Sequence, residues 1–98
     1  MTFSEEIVWQ VWSKGYPSSN DQMLWRKDEC GAWIFRGDYG KRDAEYGWEI
    51  DHITQASDGG TDDISNLRPL HWENVARNED GSLVCRITSS GSYNVRRV

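Results

Sequence analysis

The stretch "GWEIDHITQASDGGTDDISNLRPLHWENVARNEDG", residues 47–81, decides how this chain is read. In "WEIDHI", Trp48, Ile50 and His52 fall on one face and Glu49, Asp51 and Ile53 on the other, the period-two alternation of a strand. "TQASDGGTDDISN" is rich in Gly, Ser, Thr and Asp and reads as a long surface loop, a feature that in compact domains is usually functional. "LRPLH" returns as a second strand, with Pro69 where no ladder hydrogen bond is required. From Trp72 onward, "WENVARNED" suits a short helix ended by Gly81.

Working outward, Thr2 followed by Glu5 resembles a capping box. Phe3, Ile7, Val8, Val11 and Trp12 then recur at helical spacing until Gly15 and Pro17 stop the run, which predicts an amphipathic N-terminal helix with core tryptophans. "YPSSNDQ" is a loop by composition. "MLWRK", the turn-like "DECG" and "AWIF" read as a hairpin, "RGDYGKRDAEYG" as an irregular connection, and "LVCRIT", "SSGS" and "YNVRRV" as a closing hairpin. No repeat or linker interrupts the chain, so residues 1–98 are expected to form one domain around a motif core at 46–81.

A chain of 98 residues buries only roughly 60 to 65% of its unfolded surface, so it has room for one core and one small site. Six tryptophans, Trp9, Trp12, Trp25, Trp33, Trp48 and Trp72, supply the bulk such a core needs. The formal net charge of -5 gives no general attraction to a polyanion. Arg68 and Arg77 lie inside the quoted stretch, and Arg86, Arg96 and Arg97 follow near the end. Cys30 and Cys85 stand far apart without CxxC spacing and read as two thiols on strands rather than a disulfide framework, which fits a reducing compartment. The N-terminus carries acids where a secretory signal needs bases, and no apolar run approaches a membrane span. A cytoplasmic protein without membrane association is expected.

The chemistry gathers at Asp51 and His52. A carboxylate suits a hard divalent cation, and an imidazole can take a proton from water near physiological pH. Adjacent strand residues point to opposite faces, so a site using both needs the strand to end or twist there, and the loop begins at once. Together they could activate water against a phosphodiester while a metal stabilises the developing charge. Asp58, Asp62 and Asp63 lack the alternate-residue spacing of a calcium loop and read as a solvated turn.

These residues carry a resemblance. "IDHI", "GG" and "DDISNL.PL" are similar to the HNH endonuclease family, whose site is a ββα-metal motif of two strands, a loop and a helix. The wording "YGWEIDHI" and "GGTDDISNLRPLHWEN" resembles small bacterial and phage members. The resemblance implies that Asp51 is a metal ligand, that His52 is the general base and that Asn66 ties down the loop and orients the base. It implies an α+β fold: a small antiparallel sheet with an HNH ββα unit and an N-terminal helix. It also implies a divalent metal ion, Mg, Mn, Ni or Zn, and DNA as partner, with Arg68 and Arg77 as candidate phosphate contacts.

The chain departs from the family pattern at the last motif position, which falls on Val75, a residue that cannot bind a metal. Asn74 and Glu73 are the candidate substitute ligands, with His71 a further possibility. Gln55 stands for a proline and Asn78 for a lysine. Where many members carry paired CxxC motifs for a structural zinc, His71 and Asn74 occupy one pair and the other is absent, so no zinc clamp is expected. The leading expectation is a weakened metal-dependent DNA endonuclease. The alternative is an inactive HNH-fold module that binds a protein as inhibitor or regulator.

Overall fold

The computed structural model describes residues 3–18 and 21–97. Thr2, and with it the expected capping box, lies outside them. Helix α1 spans Glu5–Trp12, and Ser4 serves as its N-cap, its hydroxyl accepting the Ile7 amide at 3.2 Å. Glu5 and Glu6 in the first turn place negative charge against the positive end of the helix dipole. Val8, Val11 and Trp12 form the buried stripe. Trp9 does not join them. It is half open to solvent with the Arg36 guanidinium over its ring, because one helical step turns it away from the stripe.

The described residues contain three two-stranded antiparallel ladders in place of the expected single sheet. Strand β1 (Trp25–Lys27) pairs with β2 (Trp33–Phe35), β3 (Trp48–His52) with β4 (Leu67–His71), and β5 (Ile87–Ser90) with β6 (Tyr93–Arg96). The ladders stay separate in hydrogen bonding and meet through side chains. Val8, Val11, Trp12, Ile34, Trp48 and Leu67 make the core, one cluster drawn from α1, β2, β3 and β4. Trp12 and Trp48 pack with ring centroids 5.2 Å apart, and both indole nitrogens reach backbone carbonyls, of Gln22 and Arg36. The Lys14 ammonium, just past α1, donates to the carbonyls of Ile64 and Leu67 and fastens the helix end to the start of β4. Among the described residues no helix is long and apolar enough to cross a membrane.

Two expectations are corrected here. Residues 72–81 contain no α-helix: a single 3-10 turn at Trp72–Asn74 is followed by irregular chain with one isolated bridge, Arg77 to Leu83. The backbone groups a helix would use are taken elsewhere, since Val84 donates to Ala76, Asn78 to Ser82 and Gly81 to Asn78, which closes a small turn at Gly81 with φ 89°. The two strands and loop of a ββα unit are therefore present, and its helix is not. The second correction concerns Cys30 and Cys85. They are disulfide-bonded, with Cα atoms 5.3 Å apart, because the β1–β2 turn and the segment before β5 lie side by side although 55 residues separate them. Wide sequence spacing gave no hint of that approach.

Candidate functional site

The β3–β4 hairpin brings the quoted stretch together. Its register sets Asp51 opposite Arg68, His52 opposite Leu67 and Trp48 opposite His71. The connecting loop is closed by Asn66. Its side-chain oxygen accepts the Thr54 amide at 2.7 Å, and its side-chain nitrogen donates to the carbonyls of Thr54 (3.0 Å) and Thr61 (2.7 Å). The backbone adds the Ile53 amide on the Asn66 carbonyl at 2.8 Å. Two glycines make this path possible. Gly59 takes φ 92°, and a Cβ on Gly60 would lie 1.8 Å from the Thr54 carbonyl oxygen.

His52 stands at the loop entrance, with its side chain 31% exposed. Its Nε2 is 2.7 Å from Asp62 Oδ1, so a loop acid read from sequence as solvated instead orients the imidazole. The Phe3 ring packs nearby, with its centroid 6.2 Å from that of the imidazole. Asp51 faces the other way and is 7% exposed. Its Oδ2 accepts from Arg68 Nε at 2.8 Å and from Arg77 Nη2 at 2.9 Å, and Oδ1 lies 3.2 Å from the same Nη2. Arg68 also donates to Glu29, and Arg77 to the carbonyls of His52 and Gly81. With its amide oxygen turned toward it, Gln55 accepts from Arg77 Nε at 2.8 Å. Two carboxylates and two guanidinia thus neutralise one another in a nearly closed network.

The other candidate ligands lie at the far end of the hairpin. Three rungs separate Asp51 from the residue opposite His71, about 10 Å along the strand, and Glu73 and Asn74 follow His71. Glu73 pairs with Arg96 at 2.8 Å. Asn74 is fully buried. Its amide nitrogen donates to Asp28 Oδ2 and to the Ile87 carbonyl, both at 2.9 Å, and its oxygen accepts the Ile87 amide at 2.7 Å, so the side chain acts as an extra strand rung for β5. His71 is also buried: Nε2 donates to the Glu45 carbonyl at 2.8 Å, and Nδ1 accepts the Glu73 amide at 3.0 Å. No nitrogen is left for an ion.

Asp28 is the residue that sequence reading missed. It is 2% exposed and gathers four N–H groups, those of Cys30, Ala32 and His71 from the backbone and that of Asn74. Burial raises its pKa above the ordinary 3.8, against the lowering effect of those hydrogen bonds. Asp28 and Asn74 join the β1–β2 turn to the end of β4. Its only sequence signal was an Asp opening the turn "DECG".

Among the described residues, no group of three or more His, Cys, Asp or Glu side chains could hold a metal ion. The residues around Asp51 do not fit a divalent cation. Both carboxylate oxygens already face guanidinium groups, whose positive charge opposes a second cation. Arg68 and Arg77 spend donors on Asp51, on Glu29 and on the carbonyls of His52 and Gly81, which ties both guanidinia into the fold.

Residues 35–73 match the family described as HNH endonuclease. That segment carries β3, the loop, Asn66 and β4, relates the chain to a family of nucleases, and ends two residues before Val75. No curated protein and no solved structure matches the chain.

Proposed function

We propose, taking the HNH relationship of residues 35–73 as the premise, that this protein keeps the HNH scaffold as a binding module and does not hydrolyse phosphodiesters. HNH domains are generally metal-dependent and generally bind DNA, so the reading turns on whether this chain retains the means to hold an ion. One observation carries it: the Asp51 carboxylate, at the first motif position, is closed by Arg68 and Arg77. A buried acid paired in this way serves stability and positioning, and releasing it to a cation would leave two part-buried guanidinia uncompensated. Val75, Glu73 on Arg96 and Asn74 on Ile87 agree with the same reading. The net charge of -5 favours a protein partner over a polyanion.

A hydrolytic reading has one observation in its favour. His52 is accessible and held by Asp62, and Asn66 ties the loop beneath it, the arrangement a general base requires. Incubating supercoiled plasmid with the protein and Mg²⁺, Mn²⁺ or Ni²⁺ separates the two. The proposal expects no nicking and a thermal midpoint unmoved by the metals, since an ion that does not bind the folded state cannot stabilise it. Nicking that disappears in His52→Ala would overturn it.

A further inference from the structure

We infer that the surface corner formed by Trp25, Trp33 and Tyr46 is a docking site for a cationic side chain, an arginine or a lysine, presented by a partner protein. The idea that the partner is a protein rests on the binding-module reading; the chemistry of the corner is independent of it. Ile34 on β2 points into the core and is fully buried, so its neighbours Trp33 and Phe35 take the opposite face of the hairpin, where Trp33 is 6% exposed beneath Gly91 and Asn94, and Trp25, opposite Phe35, joins them half-buried. The Trp25 ring stands nearly perpendicular to both of its partners, with centroids 6.3 Å from Trp33 at 89° and 5.0 Å from Tyr46 at 85°. Phe35 supports it from 4.8 Å. Together with Asp21, Leu24 and Ser92, the three rings line a cavity of about 500 Å³.

Such rings present negative π faces, and a carboxylate at the rim selects the sign of the occupant. Asp21 is exposed and accepts the Met23 amide through Oδ1 at 2.9 Å, which orients the carboxylate. The corner's lining is also apolar at Leu24, 44% exposed, a surface suited to the aliphatic stem of a long basic side chain. The molecule already uses this chemistry on itself. Arg36 lies 4.6 Å from the Trp9 ring and the Lys27 ammonium 4.8 Å from the Trp33 ring. Lys27 thus covers one face of Trp33 and lines a different cavity, beside Tyr16 and Glu29, and it is not among the residues lining the corner. The chain's negative balance adds long-range attraction for a basic partner.

The test is a titration of the full ¹⁵N-labelled chain with short glycine-flanked peptides carrying arginine, citrulline, lysine or acetyl-lysine. The indole N–H signals of Trp25 and Trp33 should shift saturably with arginine and lysine, and the neutral counterparts should bind roughly two- to fivefold more weakly. Asp21→Asn should weaken the arginine peptide roughly two- to fivefold without moving the thermal midpoint, and Trp25→Leu should abolish the Trp33 shift. Equal response to the neutral peptides, absence of shifts at both indoles, or tighter binding of a single-stranded oligonucleotide would each overturn the assignment. A chain that neither nicks DNA nor binds the peptides loses the corner alone. One that nicks DNA yet binds arginine peptide loses the non-hydrolytic reading alone.

Discussion

The Arg77 guanidinium covers both oxygens of the Asp51 carboxylate, Nη2 lying 2.9 Å from Oδ2 and 3.2 Å from Oδ1. Arg77 reaches there from beyond β4, so this pair ties the segment after the hairpin to the strand before the loop. Removing the acid leaves Arg68 and Arg77, each only about one-seventh exposed, without their shared counter-charge. Asp51→Ala is expected to cost about 2–4 kcal/mol in urea unfolding, more than Asp62→Ala at the exposed His52 pair, which should cost under about 1 kcal/mol. Equal costs would show that the network is not held as described.

Gly60 is expected to tolerate no side chain. A Cβ would sit 1.8 Å from the Thr54 carbonyl oxygen, which is backbone and itself receives the Asn66 amide. Gly60→Ala should therefore lower stability by about 1–3 kcal/mol and speed hydrogen exchange at the Thr54 amide, which Asn66 protects. Gly40→Ala provides a contrast in kind: its Cβ meets nothing within 4 Å, and its cost comes from φ 79° alone.

Asp28 sets a pH signature. Its folded pKa lies above the ordinary 3.8 because burial disfavours the charged form, so the native state binds more protons than the unfolded chain between the two values. The contribution of Asp28 is therefore fully present below the unfolded value and is lost as pH rises through the folded one. Carboxyl ¹³C titration should show this residue protonating at higher pH than the exposed acids. Asp28→Asn, which turns an amide toward the N–H groups of His71 and Asn74, should cost about 1–3 kcal/mol at neutral pH and flatten that part of the stability profile.

Reduction is expected to destabilise the chain without unfolding the β3–β4 hairpin first. The Cys30–Cys85 bond closes a loop spanning 55 positions, for which chain entropy corresponds to about 4 kcal/mol. Denaturation with and without a dithiol reductant measures this, and Cys30→Ser in oxidising buffer should match the reduced wild type.

Much of the site was legible before the fold. The alternation in "WEIDHI" and the return in "LRPLH" became β3 and β4, paired from Trp48 opposite His71 to His52 opposite Leu67. Asn66, expected to tie down the loop, bonds the backbones of Thr54 and Thr61. What failed depended on contacts distant in sequence. "WENVARNED" has helical propensity, yet Asn74 bonds Ile87 and Ala76 pairs with Val84, and tertiary bonds outweigh a few tenths of a kcal/mol per residue. Likewise, nothing local in "DECG" announces that Asp28 meets His71 and Asn74, or that Cys30 meets Cys85. The sequence also does not show that Arg68 lies across the ladder from Asp51, or that Arg77 reaches the same carboxylate from beyond β4.

Closure of the loop by one amide has a consequence for its interior. Asn66 fastens Thr54 and Thr61 by their backbones, so the chain between them is pinned at both ends, and away from Gly59 and Gly60 the pinning does not depend on side chains. Ala56, Ser57 and Asp58 are all exposed there. These three positions form a cassette: their side chains can be exchanged while Gly59 and Gly60 keep the turn and the two strands keep their alignment.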